Sequence, residues 1–119
     1  MVYNSDSEVI SVKNDLGGFE ELVLLTVLRL GAESYGRTIQ RELQQVAERP
    51  TSLGAVYATL DRLEGKGYLT SRVGTPLPER GGRRKRHYRI AASGEHALEA
   101  TRRRRQVLAT GLLAIEGTR

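Results

Sequence analysis

Six of the chain's nineteen basic side chains fall within residues 80–89, in the run RGGRRKRHYR. That density suits phosphates, because an arginine fork donates two parallel hydrogen bonds to one anion and paired glycines let a loop follow a backbone closely. Tyr88 and Ile90 then alternate with His87 and Arg89, which is the period of a strand and not of a low-complexity tail. Groups for turnover are scarce. His87 and His96 stand nine residues apart on different predicted elements. Glu20 with Glu21, and Glu95 with Glu99, fall in first turns of helices, where carboxylates favour the dipole without any catalytic role. There is no glycine-rich phosphate loop or nucleophile motif. With no cysteine, a thiolate metal centre and a disulfide framework are both excluded. Neither an enzyme nor a metal nor a cofactor is expected.

The elements that must position the basic run come from charge and period. The 119 residues, 39% hydrophobic, suffice for one modest core. No apolar run approaches the ~18 residues of a membrane span, and no signal pattern opens the chain, so a cytoplasmic protein is expected. The net charge of +5 is unevenly placed: residues 1–33 hold six acids and two bases, residues 34–90 twelve bases and five acids. A polyanion is the leading partner, against the plainer reading of a solvated basic surface.

Residues 1–15 lack a sustained period and read as a frayed arm. From Leu16, the spacing of Phe19, Leu22, Val23, Leu25, Thr26 and Leu30 predicts a helix stopped at Gly31. SYGRTIQRELQQVAER predicts a second, capped by Ser34, with Tyr35, Ile39, Leu43 and Val46 inward. A third, capped by Thr51 or Ser52, turns Leu53, Val56, Leu60 and Leu63 inward and offers Gly54, Ala55, Ala58, Thr59 and Arg62 outward. Small residues there let a backbone come close, and the helix N-terminus suits a phosphate. Tyr57 sits one residue from the stripe, its hydroxyl either reaching out of the fold or lying in the core. YLTSRV and RHYRI predict two antiparallel strands. A last helix, capped by Ser93, repeats Leu98, Thr101, Arg105, Leu108, Leu112 and Ile115 as a coiled-coil-like seam. The fold class is mainly α with a small β-hairpin (α+β): a winged helix-turn-helix over 16–91 and a C-terminal helix over 92–116.

The segments SYGRTIQREL, SLGAVYATLDRLEGKGYL and PERGGRRKRHYRIAASGEHAL, in that order, resemble the PadR-like transcriptional regulators of the short subfamily with a single C-terminal helix. The resemblance implies a homodimeric DNA-binding repressor on a near-palindromic operator. DNA contacts are then expected from Thr51, Ser52, Gly54, Ala55, Tyr57, Thr59 and Arg62 of the third helix and from Arg83, Arg84, Lys85 and Arg86 of the wing. The dimer is expected from the Leu98, Thr101, Arg105, Leu108, Leu112 and Ile115 seam. In RRRR at 102–105 the side chains point about 100° apart, so Arg102 to Arg104 are expected solvated or paired with acids of a partner's first helix. The family also implies a small-molecule effector, which the residues do not name. Two other readings stay open: a basic RNA-binding module, disfavoured by one Phe and no Trp, and a protein-interaction winged helix, which would not need so many arginines in its wing.

Overall fold

The computed structural model describes residues 16–74 and 85–112. The expected arm over 1–15, the wing residues Gly81, Gly82, Arg83 and Arg84, and Ile115 lie outside the described residues. Helix α1 (Gly18–Leu30) stops at Gly31, whose φ of 57° is the left-handed region that glycine adopts freely. A 3-10 turn (Gly31–Glu33) leads to α2 (Gly36–Gln45), and α3 (Leu53–Gly65) follows. Strands β1 (Leu69–Val73) and β2 (Arg86–Ile90) pair antiparallel with Leu69 opposite Ile90 and Val73 opposite Arg86. Helix α4 (Ala92–Ala109) closes the described chain. This is the winged helix-turn-helix expected from the sequence.

The core gathers Val23, Leu24 and Val27 of α1, Ile39 and Leu43 of α2, Val56, Leu60 and Leu63 of α3, and Leu69 and Tyr88 of the hairpin. On α1 the buried face is turned by about one residue from the expected stripe: Phe19, Leu22, Leu25 and Leu30 are only partly buried. Val46, past the end of α2, is exposed.

Two expected caps do other work. Ser34 precedes the true cap of α2, Tyr35, whose N–H donates to Thr38 Oγ1 at 3.0 Å. Ser34 is fully buried, and its carbonyl accepts the Tyr88 N–H at 2.9 Å, while Tyr35 bridges His87. The stretch before α2 thereby adds a short third line to the hairpin. Ser93 lies inside the first turn of α4, which is capped at Ala91, and its hydroxyl donates to the Gly67 carbonyl at 2.6 Å.

Gly94 explains why α4 can pack there. A Cβ at this position would run into the Tyr68 carbonyl oxygen and stand 2.9 Å from Ile90 Cγ1. Gly94→Ala is therefore expected to destabilise the fold by about 2 kcal/mol through overpacking against backbone, despite alanine's better helix propensity. Thermal or urea unfolding checks it; an unchanged midpoint contradicts the close packing.

Candidate nucleic-acid interface

Ser52 caps α3, its Oγ accepting the Ala55 N–H at 3.0 Å, which leaves the hydroxyl proton free to donate outward. Gly54, Ala55 and Ala58 are exposed beside it, so apart from Tyr57 the first two turns offer backbone and no long exposed side chain. Tyr57 is 41% exposed and not in the core. Its phenol lies over Gly36 in the first turn of α2, where a Cβ would meet the ring and hydroxyl. The bare backbone of α2 beneath its tip thus seats the tyrosine. Thr51 is half-buried, and its carbonyl accepts from Gln40 Nε2 at 3.0 Å, tying the turn before α3 to α2.

Thr59 and Arg62 are placed differently from expectation. Thr59 is only 2% exposed, because the buried stripe of Val56, Leu60 and Leu63 is wide enough to include it. Its Oγ1 accepts from Arg62 Nη2 at 3.2 Å. Arg62 Nε donates to Glu20 Oε2 at 3.2 Å, and Lys66 Nζ donates to both oxygens of that carboxylate at 3.0 Å. Glu20, 6% exposed, also accepts the Gly17 N–H at 2.9 Å. It clamps the last turn of α3 to the first turn of α1.

Burial pushes the Glu20 carboxyl upward, but the Gly17 N–H and the Lys66 and Arg62 side chains outweigh it and hold the carboxyl below its ordinary value of 4.5. A depressed folded pKa adds stability that is fully present above the unfolded value and is lost as pH falls through the folded one. Glu20→Gln is accordingly expected to cost about 1–2 kcal/mol at pH 7, with the gap to wild type closing below about pH 4.5. Urea melts across pH 3–7 check this; a gap independent of pH contradicts the charged clamp.

On the wing, Lys85 is half-buried, its ammonium 3.1 Å from the Tyr35 hydroxyl and 4.2 Å above that ring. Arg86 is exposed and its Nη1 donates to Ser71 Oγ at 3.0 Å; Ser71 in turn donates to Glu64 Oε2 at 2.8 Å, joining hairpin to α3. His87 meets Tyr35 edge to face at 5.3 Å. The structure thus brings the start of α3, Tyr57, the start of α2 and the root of the wing together.

The seam on α4 divides in two. Leu98 and Thr101 are 4% exposed and belong to the chain's own core, so they are not free to face a partner. Arg105 is drawn to α1 of the same chain, its Nε donating to Glu21 Oε1 at 2.8 Å. Arg103 lies 3.7 Å from Glu99, one turn back along its own helix, and Arg102 is exposed. The helix ends at Ala109, short of the expected 116, and Gly111 turns the chain with φ 77°. Val107, Leu108 and Leu112 are left exposed.

The family model described as "Transcriptional regulator PadR-like family" matches residues 24–100. The chain belongs to this family. The match runs from within α1 to the buried half of α4, so it takes in the helix-turn-helix, the wing and Gly94. Among solved structures, a PadR family transcriptional regulator from Eggerthella lenta aligns with a TM-score of 0.63 at 24% identity, over 91% of this chain and 88% of that one. A PadR family regulator from Clostridium difficile aligns at 0.57 and 22%, over 76% and 91%. The ORC1 protein of Aeropyrum pernix in complex with DNA aligns at 0.60 and 21%, over 82% of this chain and 27% of that one. These likenesses bear on the fold. No curated protein matches. In this PadR-like chain sequence reasoning missed the seating of Tyr57 on Gly36 and of Lys85 on Tyr35; the glycine at the start of α2, in SYGRT, was the available signal.

Proposed function

We propose that the chain is a cytoplasmic, dimeric transcriptional repressor that reads a near-palindromic operator with the exposed start of α3 and holds flanking phosphates with the wing. Within it, residues 16–91 and the first half of α4 form the DNA-binding unit, the end of α4 carries the dimer contact, and 1–15 is an arm. The observation that carries the reading is the pairing of a small-sided, N-terminally open face on α3 with a tyrosine whose hydroxyl is held beside the start of α2. Backbone N–H groups at two helix starts then point toward one line of phosphates. No helix among the described residues is long and apolar enough to cross a membrane, and none of them form a metal-ligand cluster.

The test is competition between duplex from the chain's own promoter region, random duplex and RNA at fixed salt. Preference for the promoter duplex supports the reading; preference for RNA, or no binding, ends it. The wing has its own expected outcome. Arg83, Arg84 and Arg86 together replaced by alanine should weaken promoter and random duplex by similar factors and flatten log K against log salt by about 0.9 per lost contact, roughly two to three units in all. An unchanged slope makes the run an ordinary solvated loop. Loss of promoter preference alone makes it a reader of bases.

A further inference from the structure

Directly opposed residues of an antiparallel pair share a face, so Thr70 with Arg89 and Arg72 with His87 line one side of the hairpin, and Leu69, Ser71, Tyr88 and Ile90 the other. The second set includes the buried Leu69 and Tyr88, and its Ser71 is bonded to Glu64 of α3. The hairpin face that packs on α3 is therefore the inner one, and Arg72 and Arg89 stand on the outer one.

Between the hairpin and the C-terminal end of α1 is a cleft of about 430 Å³, walled on one side by residues 70–72 and 87–90, Arg72 and Arg89 among them, and on the other by Leu28, Gly31 and Ala32. Its size is that of small-ligand sites, about 300–1,000 Å³. Its chemistry is two-sided. Arg72 and Arg89 are exposed diagonal neighbours across the strands, about 7 Å apart by strand geometry, and neither makes an ion pair among the described residues. Several other cations of the fold are engaged: Arg62 and Lys66 with Glu20, Arg105 with Glu21, Lys85 with Tyr35. The facing wall is apolar and includes Leu28, 44% exposed in mid-chain with nothing described to cover it. His87 lines the cleft between the two arginines, its Nδ1 buried without a hydrogen-bond partner among the described residues.

We infer that this cleft binds a small amphipathic anion, a carboxylate or a phosphate monoester on an apolar body. The anionic head takes the Arg72 and Arg89 forks and the body lies on Leu28 and Ala32. The site shares no residue with the start of α3, so it stands whether or not the DNA reading does. Because it joins α1 to the wing root, occupancy fixes the hairpin relative to the helices.

Amide NMR titration of the full chain with hexanoate, hexyl phosphate, 1-hexanol and inorganic phosphate tests it. One of the two amphipathic anions is expected to shift the amides of Leu28, Ala32, Arg72 and Arg89 saturably, and which of them binds tighter identifies the head group. Hexanol and inorganic phosphate each lack half the ligand and should bind at least about tenfold more weakly. Arg72→Gln with Arg89→Gln should weaken the tighter anion about tenfold or more without changing the melt, since both side chains are exposed. Ala32→Leu, which fills the cleft without touching a charge, should do the same. The inference is overturned if neither anion saturates, if hexanol or inorganic phosphate binds equally well, or if either variant binds like wild type. It is overturned equally if duplex DNA shifts these four amides more than those at the start of α3, for the cleft is then nucleic-acid surface.

Discussion

Ala55→Glu is expected to weaken promoter-duplex binding by roughly 100-fold, about 3 kcal/mol, while the protein melts at or slightly above the wild-type temperature. The loss follows from placing a carboxylate on the exposed first turn of α3, at the point proposed to meet the phosphates, where like charges oppose at close range. The stability follows from the same position. Ser52 caps the helix and residue 55 is its third helical position, so the variant reads Ser-Leu-Gly-Glu, the pattern of a capping box whose carboxylate reaches back to the cap N–H. A negative charge in the first turn also favours the helix dipole. Fluorescence anisotropy at fixed salt, read beside a thermal melt, separates the two effects. Wild-type affinity in the variant removes α3 from the interface; a lowered melt together with lost binding makes the result one of folding and contradicts the exposed first turn.

What could be read from the chain, and what could not, divides along a physical line. Period and turn chemistry are local, and they located three helices before the hairpin, the Gly31 stop, a cap at Thr51 or Ser52, of which Ser52 is the one used, and the strand that carries Tyr88. Which neighbour covers a face is not local. The width of the buried stripe on α3 depends on how closely α1 approaches, and that took Thr59 out of the exposed set and turned Arg62 toward Glu20. Ser34 and Ser93 have the residue type of caps, but each lies where another segment passes: Ser34 against Tyr88, Ser93 against Gly67. Gly94 was visible only as half of a serine-glycine pair. Its meaning, a helix start pressed onto the Tyr68 carbonyl, needs the third dimension.

The same limit shapes the last helix. A repeat of threes and fours running from Leu98 to Ile115 looks like one seam, because spacing records the face and not the moment at which the chain's own core ends. Here that moment falls after Thr101. Leu98 and Thr101 are covered by the chain itself, Arg105 is drawn to Glu21, and only from Val107 onward are large apolar side chains bare: Val107 at 65%, Leu108 and Leu112 at 77% exposed. Three such side chains within six residues form a patch that a second copy would cover, and a two-fold axis would bring the same patch from both chains together. Leu108→Asp with Leu112→Asp is therefore expected to abolish dimerisation, since each association would bury unpaired carboxylates at a cost of several kcal/mol. Each monomer should unfold at close to the wild-type midpoint when compared at a concentration where both are monomeric, because neither leucine packs within its own chain. Sedimentation equilibrium measures the first outcome and urea melts the second. Promoter binding should fall with the dimer, each half-site then being held alone, whereas Ala55→Glu should leave sedimentation untouched. A wild-type chain that sediments as a monomer ends the dimer reading; a double variant that still dimerises moves the interface to another face of the molecule.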